Sequence, residues 1–210
     1  MEKFLTLNSK ITFLAMFSAL LLITASCEKA DMGRNGMPDN PGMKSAMAAP
    51  APCNQTIAEI VVASTKAKEP QFILLLAALE YTGLTGVFTG GGQYTVFAPT
   101  DQAFLDLVAA LPLGVVEGDS PFEKIDNLLG EGTVANVLLY HVTEGRRAAN
   151  SVVPKTGLRT IETLLGATFT VDKAAKITAV GNTTNIIAPN ISASNGIIHV
   201  IDAIILPIVP

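Results

Sequence analysis

The sequence predicts an α+β domain in which helices come first along the chain and strands come later. Two observations lead to this prediction. Between Thr56 and Tyr140, apolar residues recur at helical spacing behind capping residues. After Gly145, short runs rich in β-branched residues take over, separated by turn-forming Gly, Asn and Asp. We therefore expect one domain over residues 56–207, a normal size for a single core.

The first 26 residues have the pattern of an export signal. Two lysines flank a polar start, and the apolar run 11–25 that follows is short for a spanning helix, which needs ~20 residues. Cys27 comes next, in LITASC, which resembles a bacterial lipoprotein signal. We expect residues 1–26 to be removed and the Cys27 thiol to be lipidated. The alternative is ordinary cleavage nearby, which leaves Cys27 free to pair with Cys53.

Residues 27–55 are predicted to form a flexible tether. The segment 28–53 has no aromatic and no β-branched residue and is rich in Gly, Pro and Ala. Such a composition cannot bury enough apolar surface to offset the entropy of ordering. The four methionines of the segment have irregular spacing and no histidine nearby, so we predict no metal site.

The charge of the predicted mature chain argues against nucleic-acid binding. Beyond residue 26 the chain has 12 Lys+Arg and 17 Asp+Glu, a net charge of −5. Arg146 and Arg147 are the one basic pair, whereas nucleic-acid binding depends on neutralising many phosphates.

Capping patterns predict where the helices begin. Thr56 and Glu59 form a capping box, and Ser120 opens a helix that runs towards Leu129. Another helix is predicted over 133–140. A further helix is predicted from Pro70 to the residue before Gly83. Its middle, FILLLAAL, is apolar all round, so we expect this part to be buried on most sides.

The strand predictions come from five runs in the second half of the chain. These are LRTIE, ATFTV, KITAV, NIIAP and GIIHVIDAIIL. The last of them, from Ile197 to Leu206, is apolar at both parities, which predicts a central strand covered on both faces.

The stretch YTVFAPTDQAF is interpreted as a strand that turns through a capped corner into a helix. It lacks the glycines of a phosphate loop and of a nucleophile elbow. Thr100 is placed to cap the helix, Asp101 meets the positive end of the helix dipole, and Phe104 starts the buried stripe.

Three stretches, YTVFAPTDQAF, VLLYHVTEG and SNGIIHVIDAIILP, resemble in order and spacing the sequence blocks of the fasciclin-like domain. The resemblance covers residues 56–207. It implies a compact α+β fold, with helices packed around a twisted β-sandwich or wedge. It also implies a role in adhesion or extracellular interaction, with no general catalytic residues and no cofactor.

The resemblance assigns motif residues one by one. Tyr140 and His141 match a pair linked to adhesion in animal members, so they are the candidate interaction residues. Asn190 departs from the family, which often has Asp-Ile at this point, and an integrin-type contact is therefore doubtful. The remaining matches are expected to be structural: Thr100, Asp101, Phe104, Asn195, Gly196, His199 and Asp202.

His141 and His199 are the two histidines of the chain. Each lies in an apolar, strand-like run, so we expect core histidines whose ring N–H groups bond to backbone carbonyls. They are far apart in sequence and lack the ligand spacing of a zinc site. Asp202 is an odd step from His199, so it faces away and is expected to satisfy a backbone donor.

These observations favour a non-catalytic, envelope-anchored fasciclin-like module that mediates cell adhesion or matrix contact. The expected location is the bacterial envelope, at the outer membrane. The sequence does not decide between its periplasmic face and its outer face. The expected partners are an envelope or cell-surface protein or a polysaccharide, and the membrane itself through the N-terminal lipid. The alternative is a periplasmic accessory lipoprotein that binds a small ligand or a polysaccharide.

Overall fold

The computed structural model describes residues 54–68, 70–89, 91–111 and 120–207. The predicted signal, Cys27 and Cys53 lie outside these ranges. The described residues form six α-helices, a 3₁₀ helix at Leu84–Phe88 and seven strands. The helices are α1 (Ile57–Thr65), α2 (Ile73–Thr82), α3 (Asp101–Ala110), α4 (Pro121–Leu129), α5 (Thr133–Tyr140) and α6 (Ala149–Val152). The strands are β1 (Tyr94–Pro99), β2 (Val142–Glu144), β3 (Leu158–Glu162), β4 (Thr168–Asp172), β5 (Lys176–Thr178), β6 (Thr183–Ala193) and β7 (Gly196–Ile201).

The strands form one mixed sheet in the order β2-β1-β7-β6-β5-β4-β3. β1 and β7 are parallel, and the other neighbouring strands are antiparallel. All six positions of β7 are buried, which confirms the predicted central strand. The strand ends at Ile201, earlier than predicted, because the chain bends away at Asp202 while Ile205 still packs into the core.

The sheet curls until its two edges meet. The Thr143 hydroxyl on β2 donates to the Glu162 carbonyl on β3 at 2.6 Å. The Leu164 N–H donates to the Val142 carbonyl at 2.8 Å. With helices packed on the outside, this architecture is the α+β fold that the fasciclin resemblance implied.

β1 and β7 separate two cores, which we call the helix layer and the strand layer. Val96 and Ile198 pack against the helices in the helix layer. Phe97 and Ile201, of opposite parity on the same strands, pack against Phe169 of β4 in the strand layer. Because the alternation of a strand places neighbouring side chains on opposite faces, one pair of strands serves both cores.

Two of the predicted helix starts are confirmed. The Thr56 hydroxyl accepts from the Glu59 N–H, and the Glu59 carboxylate accepts from the Thr56 N–H, which completes the capping box of α1. The Ser120 hydroxyl accepts from the Phe122 N–H, and α4 ends at Leu129 as predicted. Among the described residues, no helix has the length and apolar character needed to cross a bilayer.

The predicted start of the second helix is wrong by three residues. α2 begins at Ile73 because Phe72 adopts a left-handed backbone, with φ of 62°, and cannot continue a helix. The prediction that the middle of this helix is buried on most sides is confirmed. Leu75 and Leu79 are buried, and Leu74 and Leu76 pack partly buried against the same core, so that only Ile73 of this stretch is exposed, at 48%.

Candidate functional site

The corner between β1 and α3 is capped as predicted. The Thr100 hydroxyl accepts from the Ala103 N–H at 3.3 Å. Asp101 does more than meet its own helix dipole. Its carboxylate accepts from the N–H groups of Ile73 and Leu74, at 3.2 and 2.8 Å. The first residue of α3 therefore caps α2, whose own N-terminus has no side-chain cap.

Phe104 is buried in the helix layer. Its ring meets the Phe122 ring edge-on, with centroids 6.2 Å apart. Edge-to-face pairs of this kind add to the stability that burial alone provides. Phe104 therefore joins α3 to α4.

Asn195 and Gly196 fix the turn between β6 and β7 against the start of the domain. The Asn195 side-chain oxygen accepts from the Ile57 N–H at 2.8 Å, and its side-chain N–H donates to the Phe88 carbonyl at 2.6 Å. A Cβ at Gly196 would lie 2.0 Å from the Tyr94 carbonyl oxygen. Only glycine allows β1 and β7 to approach this closely.

Tyr140 is fully buried in the strand layer. Its hydroxyl donates to the Thr168 carbonyl at 2.7 Å, and its ring meets Phe169 edge-on at 5.8 Å. Burial raises the pKa of the Tyr140 hydroxyl. The side chain joins the end of α5 to β4 and does not reach the surface.

His141 is also buried, and both of its ring nitrogens have backbone partners. Nδ1 lies 2.7 Å from the Val137 carbonyl oxygen, and Nε2 accepts from the Ile205 N–H at 2.8 Å. Nδ1 is therefore the protonated nitrogen. Burial lowers the pKa of His141 to about 4, against the opposing effect of the bond to Val137. His141 follows α5 directly, so the strand-like setting predicted for it is wrong, although the predicted bond to a carbonyl is confirmed.

His199 on β7 has the opposite tautomer. Nε2 lies 3.0 Å from the Arg147 carbonyl oxygen, and Nδ1 accepts from the Asn190 N–H at 3.2 Å. The ring lies 5.6 Å from the Phe97 ring, on the side of the strand layer. Burial lowers the pKa of His199, and the bond to Arg147 opposes this shift. The predicted core histidine with a carbonyl partner is confirmed here as well.

Asn190 and Asp202 hold local backbone in place. Asn190 has a left-handed backbone with φ of 67°, and its side-chain oxygen accepts from the Ala149 N–H at the start of α6. Asp202 accepts from the Asn185 N–H and the Thr184 hydroxyl, both at 2.7 Å, which confirms the predicted backbone partner. Partial burial raises the pKa of Asp202, but hydrogen bonds from Asn185 and Thr184 lower it further, so that it lies below its usual value.

Arg146 is a motif neighbour whose role the sequence did not indicate. Its guanidinium donates to the carbonyls of Ala193 and Gly196, both at 2.6 Å, and to the Ser192 hydroxyl. Burial lowers the pKa of Arg146. The residue therefore ties the β6–β7 turn to the segment that follows β2. The signal for this role in the sequence is the position of Arg146 directly after the stretch VLLYHVTEG.

The motif residues do not converge on an open cleft. Tyr140 and His141 are adjacent and buried, and His199 lies across the β1 strand from His141. Among the described residues, no three His, Cys, Asp or Glu side chains come together in a way that could hold a metal ion. A cavity of about 20 Å³ under α1, α2 and α5 has an apolar lining that includes Ile57 and Leu138. It has room for about one water molecule and is far below the size of a ligand pocket.

The comparison with protein families identifies a single domain. The fasciclin domain matches residues 70–207. Protein sll1483 of Synechocystis sp. is 35% identical over 165 residues, which are 78% of this chain and 81% of that protein. The cell surface glycolipoprotein MPB83 of Mycobacterium bovis is 30% identical over 118 residues, which are 56% of this chain and 45% of that protein.

A solved structure has the same fold. The FAS1 domain pair of the insect cell adhesion molecule fasciclin I superposes with a TM-score of 0.56 at 16% identity. The superposition covers 72% of this chain and 51% of the other, so the chain spans about half the length of that domain pair. The sequence blocks, the curled mixed sheet and these matches agree: the chain belongs to the fasciclin domain family.

Proposed function

We propose that the protein is a lipid-anchored, non-catalytic module of the bacterial envelope that mediates adhesion or matrix contact. The family and two of its members support this proposal, since fasciclin I is a cell adhesion molecule and MPB83 is a cell surface glycolipoprotein. Acyl chains on Cys27 hold the protein to the outer membrane, and residues 27–55 let the domain stand off the bilayer. Two or more chains are needed, because one chain binds only marginally.

The proposal that the protein is non-catalytic rests on the hydrogen bonds of the motif side chains, which are all made within the domain. Both nitrogens of His141 and His199 bond to backbone groups, and the Tyr140 hydroxyl bonds to a carbonyl. A general base must reach a proton of the substrate, and buried rings with two backbone partners have no such access. In this proposal Tyr140 and His141 support the interaction surface from beneath and do not touch the partner.

Protease treatment of intact cells tests the location. We expect the protein to be cleaved while a periplasmic marker protein survives, and an immunoblot detects both proteins. Protection until the outer membrane is opened would contradict direct adhesion. That outcome would favour the alternative, a periplasmic accessory lipoprotein that binds a small ligand or a polysaccharide.

A pair of cysteine variants tests the anchor. We expect Cys27→Ser to leave the membrane fraction after a carbonate wash, because the thiol that carries the lipid is gone. Cys53→Ser is the matched control and is expected to stay with the membrane. Retention of Cys27→Ser in the membrane fraction after residues 1–26 have been removed would rule out lipidation at this position.

A further inference from the structure

The outer surface of the strand layer has a row of threonines in register. Thr160, Thr170, Thr178 and Thr183 are partners in turn across β3, β4, β5 and β6. They face outwards, because each has a buried neighbour in its strand, namely Ile161, Phe169 and Val171, Ile177, and Thr184. Since adjacent strands lie about 4.8 Å apart, the row presents four hydroxyl groups over about 14 Å. We call it the threonine row.

A basic rim borders one end of the threonine row. Lys173 and Lys176 belong to the tight turn between β4 and β5, and Lys155 lies three residues before β3. These ends coincide, since the first residue of β3 is the register partner of Asp172, the last residue of β4. All three lysine side chains are exposed. Arg159 is not part of the rim, because it is the register partner of the buried Val171 and its guanidinium donates to the Ser151 carbonyl at 2.7 Å.

The single carboxylate within the basic rim is committed to the turn. Asp172 accepts from the N–H groups of Ala174 and Lys176, at 2.8 and 3.0 Å. With three lysines and one carboxylate, the rim has a net charge of +2. This sign differs from that of the chain, whose net charge is −4.

The two halves of the domain have opposite charges. At the described positions of residues 56–140, which include the helices of the helix layer, seven side chains are acidic and three are basic, a net charge of −4. Residues 141–207 have six basic and four acidic side chains, a net charge of +2. Because the two layers lie on opposite faces of β1 and β7, an anionic partner is attracted to the strand layer and repelled from the helix layer.

We propose that the threonine row and the basic rim together bind an acidic polysaccharide. A row of identical hydroxyl groups suits a ligand that repeats, because each sugar can exchange hydrogen bonds with the next threonine. The rim adds ion pairs with uronate carboxylates. Each exposed ion pair contributes only about 0.2–1 kcal/mol, so binding depends on many contacts along a polymer.

The chemistry of the outer surface favours this ligand over two others. The outward positions of β3 to β5 include no aromatic side chain on which a neutral sugar could stack. Leu158, 70% exposed, is the one large apolar side chain in the rim. Interfacial binding to lipid scales with buried apolar area, and a single leucine gives little of it. A row of hydroxyl groups adds nothing to a lipid contact.

Binding of the purified full chain to immobilised polygalacturonate tests the proposal, with dextran and vesicles of phosphatidylcholine and phosphatidylglycerol as comparison surfaces. We expect saturable binding to polygalacturonate that weakens at least tenfold between low and 0.5 M salt. Equal binding to dextran, stronger binding to the vesicles or no binding to polygalacturonate would each overturn the proposal.

Matched variants locate the site. We expect Lys173→Glu/Lys176→Glu to raise the Kd at least tenfold. Lys66→Glu/Lys68→Glu makes the same change of charge at exposed positions after α1 and is expected to stay within twofold of the wild type. Equal losses in both pairs would show a non-specific charge effect and would overturn the site.

A second substitution keeps the test decisive if the charge reversal impairs folding. Thr160→Val/Thr178→Val removes two hydroxyl groups of the threonine row while keeping shape and strand propensity. We expect about a threefold to tenfold higher Kd with an unchanged Tm, and unchanged affinity would exclude the row. The proposal gives a ligand class to the adhesion function and rests on it. Failure here leaves the surface location, tested by protease on cells, unaffected.

Discussion

The helix layer and the strand layer cover the two faces of the same strand pair, but they are held by different means. In the strand layer, Phe97, Tyr140 and Phe169 form edge-on ring contacts in a fully buried core enclosed by the curled sheet. In the helix layer, single side chains tie helices to distant backbone: Asp101 holds α2 and Asn195 holds α1. Cavities of about 20 and 10 Å³ remain there. Both layers contain edge-on ring pairs, but the helix layer also depends on side chains that bind backbone groups of its helices from distant positions in the sequence.

Gly196→Ala should destabilise both layers at once, because both pack on the β1–β7 pair. Its Cβ would clash with the Tyr94 carbonyl at 2.0 Å and with Ile57 at 2.8 Å, so β1 and β7 could not pair. We expect a loss of more than about 4 kcal/mol in the free energy of unfolding, or no folded protein. Gly91→Ala is the control, since no atom lies within 4 Å of a Cβ there, and it should change stability by less than about 0.5 kcal/mol. A stable Gly196→Ala protein would contradict the geometry.

Phe169→Ala and Phe122→Ala compare the two cores directly. Truncation of a buried phenylalanine costs about 3–5 kcal/mol, depending on how far the site collapses. Phe169 is enclosed by sheet, so we expect the upper end of this range. Phe122 lies under exposed helices that can move inwards, so we expect the lower end. Urea unfolding of both variants measures the difference, and a larger loss for Phe122→Ala would reverse our interpretation of the layers.

Acid should weaken the fold through its two neutral histidines. Below about pH 6.5 His141 binds a proton in the unfolded chain, whereas in the folded chain it stays neutral down to about pH 4. The free energy of unfolding therefore falls as the pH drops through this window, by about 3 kcal/mol for His141. His199 acts in the same direction.

Urea unfolding between pH 7 and pH 4 measures this acid effect, and one histidine variant separates the contributions of the two layers. His141 borders the helix-layer cavity and His199 lies against Phe97. We expect His141→Gln to be less stable at pH 7 and to show a flatter pH dependence. A wild-type free energy of unfolding that is constant from pH 7 to pH 4 would contradict the lowered pKa values of both histidines.

Asp101→Ala should cost the least and act on the helix layer alone. It removes the acceptor for the Ile73 and Leu74 N–H groups, and loss of such a cap costs about 1–2 kcal/mol. Hydrogen exchange should become faster in α2 while the strand layer keeps its protection. Asp106→Ala on the exposed face of α3 is the control. Equal exchange in α2 of both variants would remove Asp101 from its anchoring role.

Local signals in the sequence were enough for the strand–helix corner, the α1 and α4 caps and the buried central strand. Each depends on residues within one turn or one strand, which is the range over which capping and periodicity act. The prediction of where α2 begins was wrong because its cap, Asp101, comes 27 residues after Leu74 in the sequence. No local pattern encodes a cap supplied by another helix.

The long-range polar contacts were beyond the sequence for the same reason. Arg146 bonds to the β6–β7 turn about 50 residues away, and the family resemblance gave no role for it. The resemblance did supply Gly196 and Asn195, but the close approach of β1 and β7 that requires them is visible only in the fold. The role of Tyr140 and His141 in an interaction stays a prediction. Because both side chains are buried, they could contribute to binding only by supporting the surface above them.

The position of β7 in the sheet constrains the order in which the protein can fold. β7 is the last strand of the described chain, yet it pairs with β1 and β6 near the middle of the sheet. Neither core can close before residues 196–201 have left the ribosome, so the growing chain gains no stable intermediate from its N-terminal helices. Pairings between such distant segments also fold slowly, on the millisecond-to-second scale. The domain therefore cannot complete its fold until synthesis has passed residue 201.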